Sequence, residues 1–145
     1  MELSNKSEYA LLALLELATC YSQNESLQIR QIAESQSIPS RYLEQLLGIL
    51  RRGGLIKSIR GAKGGYVLTR NPQTITLFDI VSCIEGLDCL ENVFDTKPKT
   101  LEEEVIQEVW QEACQGANSI LQKYTLQDLC DRKKSQAPIR LMYYI

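Results

Sequence analysis

The stretch from residue 29 to residue 70 constrains the fold more than any other, because its turn residues admit only one order of elements. Ile29, Ile32 and Ala33 recur at three- and four-residue spacing, which predicts a short helix stopped by the polar residues 35–37. Ile38 and Pro39 restart the chain, proline being suited to a first helical turn. A third helix is predicted over Ser40–Arg52, with Leu43, Leu46, Leu47 and Leu50 on one stripe and Arg41, Glu44, Gln45, Arg51 and Arg52 largely off it. Gly53 and Gly54 end it, one of them as a left-handed cap. Two β-prone runs, 55–60 and 66–70, then flank Gly61-Ala62-Lys63-Gly64-Gly65, the composition of a hairpin tip. Upstream, residues 3–21 read as a helix with Asn5 and Glu8 in the N-cap and N3 positions; its run from Tyr9 to Ala18 is apolar enough to be buried on most sides. Helix, short helix, turn, helix, hairpin is the order of a winged helix-turn-helix.

The remainder is helical in pattern. After Asn71-Pro72 a short helix is expected from Leu77 to Glu85, ending at Gly86. Residues 88–100 have no clear period and contain Pro98, so they read as an irregular loop of the kind that holds an effector. Thr100 with Glu103 forms a capping box, and a long helix follows to about Tyr124 with Leu101, Val105, Val109, Trp110, Ala113, Ala117, Ile120, Leu121 and Tyr124 in a stripe. Such a stripe needs a surface to cover it, and the same helix of a second subunit is the expected one. The fold class is therefore mainly α with a small β-hairpin: a winged domain at 1–87, a loop at 88–100, a dimerisation helix at 101–124 and a tail at 125–145.

Charge divides the chain in two. Net charge is only −2, which by itself argues against a polyanionic partner. Residues 28–70, however, hold eight Lys/Arg against Glu34 and Glu44, a balance of +6, while residues 71–131 hold three Lys against twelve Asp/Glu, a balance of −9. A basic half joined to an acidic half is what a nucleic-acid-binding chain with a separate second function looks like. The chain contains no histidine, which removes the commonest general base and metal ligand, and nothing pairs a nucleophile with a base, so no enzyme is expected. Five scattered cysteines fit a reducing compartment, no run reaches the ~18 uncharged apolar residues of a membrane span, and the expected location is the cytoplasm. The glycine-rich tip lacks the Gly-Lys-Ser/Thr ending of a phosphate-binding loop.

Ser40, Arg41, Tyr42, Glu44 and Gln45 stand in the first turns of the third helix, where a helix inserted in a major groove presents its side chains. Arginine pairs with guanine and glutamine with adenine, each through two hydrogen bonds, and a carboxylate accepts from cytosine. Glu44 would be repelled by phosphates, so its place there suggests base discrimination. Arg60 and Lys63, at a tip whose glycines allow close approach, suit phosphate or minor-groove contact. The competing reading is a winged-helix module that binds a protein without sequence-specific DNA contact, its acidic half a docking surface; steep salt dependence of DNA affinity would favour the DNA reading, and insensitivity to charge removal at Arg60 and Lys63 the protein one.

Tyr9 to Leu14, Ile32-Ala33-Glu34, Ile38 to Leu47, Leu50 to Ile56, Arg60-Gly61 and Lys63-Gly64-Gly65-Tyr66 together resemble the Rrf-two family of bacterial regulators, relatives of the iron-sulfur cluster regulator IscR. The resemblance covers roughly residues 1–87 and returns weakly at 125–129. It implies a transcription regulator, repressor more often than activator, acting as a homodimer on a two-fold operator in double-stranded DNA. It further implies base contacts from Tyr42, Glu44 and Gln45 and minor-groove contact from Arg60. The cluster-binding members carry three cysteines in the loop before the long helix and a fourth ligand before a tryptophan. Alignment on Trp110 puts Asn92, Pro98, Glu104 and Gln107 at those places, with Cys89 nearby but out of register. No cofactor and no metal site is therefore expected; a redox role for the Cys89 thiol and a cluster or other ligand held through Cys89 stay open, as do a small-molecule effector and a regulatory protein partner.

Overall fold

The computed structural model describes residues 3–86 and 96–144. In chain order the elements are α1 (Asn5–Tyr21), α2 (Ile29–Gln36), α3 (Ser40–Arg52), β1 (Ile56–Ile59), β2 (Gly65–Leu68), a 3₁₀ turn (Pro72–Thr74), α4 (Leu77–Glu85), α5 (Leu101–Lys123) and α6 (Leu126–Tyr144). The two strands pair antiparallel with Ile56 opposite Leu68 and Ile59 opposite Gly65. Leu27, between α1 and α2, adds a one-residue third strand: its N–H donates to the Tyr66 carbonyl at 3.1 Å and the Tyr66 N–H donates back at 2.7 Å.

Helix α1 is the hub, as its apolar run predicts. Ala10, Ala13, Leu14 and Leu17 are buried against Ile32 of α2, Leu43, Leu46, Leu47 and Leu50 of α3, Ile80 of α4 and Leu126 of α6. Each leucine or isoleucine so buried contributes roughly 1.5–3 kcal/mol of transfer free energy. The helix begins one residue earlier in its capping than the sequence suggests: Ser4, not Asn5, is the N-cap, with extended backbone and a hydroxyl that accepts from the Ser7 N–H at 3.1 Å. Pro39 likewise caps α3 instead of occupying its first turn.

The expected C-terminal tail is a helix. Its start is written in Thr125 and Asp128, whose side chains reciprocally accept the Asp128 and Thr125 N–H groups at 3.2 and 2.8 Å. Thr76 and Asp79 do the same at the start of α4. The two caps lie back to back, since the Leu77 N–H donates to the Tyr124 carbonyl at 2.9 Å and the Leu126 N–H to the Ile75 carbonyl at 2.8 Å. Leu126 and Cys130 anchor α6 in the core, and Pro138 lies inside it. The polar run 131–136 and this proline mask the helical period in the sequence.

Candidate nucleic-acid interface

Helices α2 and α3 are joined by a turn that depends on Ser37, a non-glycine residue in the left-handed region (φ 54°, ψ 44°). Its conformation lets the Ile38 N–H reach the Ala33 carbonyl at 3.0 Å and turns Ile38 into the core. Helix α3 is the most strongly two-sided element. Its leucine stripe is buried, while Ser40, Arg41, Glu44 and Gln45 are exposed on the opposite side. Tyr42 is half-buried, its ring meeting that of Tyr9 on α1 at 5.6 Å between centroids and 80° between planes. The first turn of α3 is thus held by α1 while its polar groups face water.

The hairpin tip is held as closely. Lys63 presents its backbone carbonyl to the Ser26 hydroxyl at 2.6 Å, and the Gly64 N–H closes the tip on the Gly61 carbonyl at 2.9 Å. A Cβ on Gly65 would come within 2.5 Å of the Leu27 carbonyl oxygen, so the third strand approaches where only glycine fits. Arg60 and Lys63 project exposed from this tip. Of the eight basic residues in 28–70, Arg30 pairs with Glu34 at 3.2 Å and Arg70 with Asp79 at 3.1 Å. Arg41, Arg51, Arg52, Lys57, Arg60 and Lys63 form no ion pair among the described residues and are all exposed. Uncompensated cations on a helix end and a hairpin tip are what a phosphate backbone attracts.

Outside α3 and the hairpin tip, the described residues carry no comparable assembly. No group of three His, Cys, Asp or Glu side chains converges there in a way that could hold a metal ion. Burial is the leading cause that pushes up the thiols of Cys20, Cys83 and Cys130; Glu25 and Glu16 add to the rise at Cys20, while at Cys130 Lys133 and Lys134 oppose it. Cys83 packs under Gly53, and Cys130 belongs to the core. Pro98 offers no ligand atom, Glu104 is exposed on α5, and Cys89 and Asn92 lie outside the described residues. The described residues do not fit the thiolate set of a cluster.

Sequence reading missed Tyr9, Ser26 and Leu27, whose roles come from partners 33 to 39 residues away in the chain. It also missed Glu85, the last residue of α4, which accepts hydrogen bonds from the hydroxyls of Ser4 and of Ser7, the latter at 2.8 Å. These bonds hold the Glu85 carboxyl below the usual carboxylate range.

The family model described as "Iron-dependent Transcriptional regulator", Rrf2, matches residues 3–132. The HTH-type transcriptional regulator CymR of Bacillus subtilis is 34% identical over 144 residues, 99% of each chain. IscR of Pectobacterium atrosepticum is 34% identical over 132 residues, covering 91% of this chain and 71% of its own. Among solved structures, B. subtilis CymR, described as "the Global Cysteine Regulator", superposes with a TM-score of 0.80 at 33% identity, covering 91% of this chain and 98% of that one. IscR of T. potens follows with a TM-score of 0.76 at 34% identity, covering 94% and 91%. These relatives are transcription regulators, not enzymes. With its helix-turn-helix, its winged hairpin and these relatives along nearly its whole length, the chain belongs to the Rrf2 family and is a DNA-binding transcription regulator.

Proposed function

We propose that the protein acts as a homodimer on a two-fold operator in double-stranded DNA, as a repressor. In each half-site the first turns of α3 enter the major groove, with Arg41, Tyr42, Glu44 and Gln45 at base edges and Ser40 at the backbone. Arg60 and Lys63 of the wing lie on the flanking phosphates and minor groove. Residues 1–87 form the DNA-binding unit and residues 101–124 the dimerisation helix. The observation that carries the two-fold reading is α5. None of its residues is buried, and Leu101, Val105, Ile106, Val109, Trp110 and Ile120 are all more than half exposed, Trp110 at 56%. A helix of 23 residues does not hold such a face against water unless a partner covers it. Charge supports a second copy as that partner: α5 carries Glu102, Glu103, Glu104, Glu108 and Glu112, whereas α6 carries Arg132 and Arg140.

The test is selection of duplexes from a random pool by the purified protein, followed by sedimentation of the complex. The expected product is an inverted repeat with half-sites about one helical turn, or a multiple of it, apart, bound by two chains. A pool that stays random after selection would exclude sequence-specific reading and leave the protein-binding module in its place.

A further inference from the structure

A cavity of about 430 Å³ lies where the C-terminal end of α1, the 3₁₀ turn and the first half of α6 meet, away from α3 and the hairpin tip. Its size falls in the range of small-molecule sites, about 300–1,000 Å³. Apolar surface, with Ala18, Tyr21, Pro72 and Ala137 among its sources, lines most of it. The charged groups at its wall are Lys133 and Lys134, and no carboxylate is among the lining residues.

The charge comes from a basic stretch of α6: residues 132–140 hold Arg132, Lys133, Lys134 and Arg140 with no Asp or Glu, and among the described residues Lys133 and Lys134 are the only charged ones that line the cavity. The side of α6 that packs on the body begins with Leu126 and Cys130, both buried. One further turn along, at Lys133 and Lys134, the same side changes from apolar to cationic where it borders the cavity. Neither lysine forms an ion pair among the described residues. The positive charge at the mouth therefore comes from α6, while the Thr19 hydroxyl donates to the Leu15 carbonyl of its own helix at 2.9 Å.

We infer that this cavity is a binding site for a small organic anion with an apolar body, its charge held by Lys133 and Lys134 and its body set against Ala18, Tyr21, Pro72 and Ala137. The site is separate from the DNA-reading residues and stands whether or not the operator model above is correct. It also borders Asn71, Pro72 and Gln73, which follow the wing strand β2 after Thr69 and Arg70, so an occupant touches the segment that leaves the hairpin.

The experiment is a fluorescence titration of the full chain with anilinonaphthalene sulfonate, an apolar organic anion that brightens on leaving water. One saturable site per chain is expected. Reversing both charges, Lys133→Glu with Lys134→Glu, is expected to weaken it about tenfold or more, the factor for one lost charge-assisted hydrogen bond. Ala137→Trp, at an exposed position of α6, is expected to fill the cavity and abolish the site, and it decides alone should the double variant fail to fold. N-phenylnaphthylamine, the uncharged relative of the dye, is expected to bind about tenfold more weakly. Unchanged sulfonate affinity in both variants would overturn the site. Equal affinity for the uncharged dye would overturn the assignment of an anion, and loss of binding in Ile139→Asp, on the neighbouring open groove, would relocate the dye and overturn the site as well.

Discussion

Tyr9 of α1 meets Tyr42 of α3 edge to face, 5.6 Å between ring centroids, so that the scaffold helix fixes a side chain at the head of the recognition helix. Such pairs are worth roughly 0.5–1.5 kcal/mol beyond the area they bury. Tyr9→Leu keeps an apolar side chain there but removes the ring. It is expected to cost about 1 kcal/mol of stability by denaturant unfolding and to weaken operator binding more than twofold at a temperature where the variant is fully folded. Unaltered affinity would mean that Tyr42 needs no support from α1.

Arg60 and Lys63 test the wing. Arg60→Ala is expected to leave the melting temperature unchanged, because the side chain is exposed and unpaired among the described residues. It should weaken DNA binding and lower the slope of log affinity against log salt by about 1, as loss of one phosphate contact does. Titrations at three salt concentrations suffice, and an unchanged slope would take Arg60 off the DNA.

The link between Ser26 and the Lys63 carbonyl predicts a split between two variants. Ser26→Ala removes one hydrogen bond and is expected to cost about 1 kcal/mol or less, with a modest loss of DNA affinity. Gly65→Ala places a Cβ against the Leu27 carbonyl oxygen, and backbone must move to admit it. It is expected to lower the melting temperature and reduce DNA affinity more than Arg60→Ala does; a silent Gly65→Ala would show the third strand to be dispensable.

Glu85 predicts a dependence on pH. Its carboxyl is held below the usual range by the Ser4 and Ser7 hydroxyls, a lowered folded-state value. A lowered value contributes stability that is complete above the unfolded-state pKa, about 4.3, and is lost as pH falls through the folded-state one. Wild type should therefore exceed Glu85→Ala in melting temperature at pH 7, and the gap should begin to narrow as pH falls below about 4.3 and close once pH is below the lowered folded-state value. A gap independent of pH would assign the loss to packing alone.

Helix α5 predicts the assembly. Trp110→Asp together with Val109→Asp places charges on the exposed apolar face. Sedimentation velocity at micromolar concentration is expected to give a dimer for wild type and a monomer for the variant, with helical content retained. A wild-type chain that sediments as a monomer would remove the two-fold operator with it.

Much of this protein is legible along the chain because its signals are local. The leucine stripe of α3, the glycines at 53–54 and 61–65, and the Thr100 cap act over fewer than about ten residues, within reach of propensity, spacing and turn chemistry. They determined the winged helix-turn-helix order, the exposed polar head of α3 and the basic tip, and all three stand in the structure at nearly the expected boundaries. Beyond the local cap of Thr125 and Asp128, helix α6 was hidden because its polar run and Pro138 erase the period, and packing of Leu126 and Cys130 into a core built by α1 anchors the helix. The contacts that position the interface were decided by tertiary structure alone. Tyr9 with Tyr42, Ser26 with Lys63, Leu27 with Tyr66 and Ser4 with Glu85 join residues separated by 33, 37, 39 and 81 positions. Nothing in the local sequence of either partner encodes the other, because each pair exists only once hydrophobic burial has brought the two segments together.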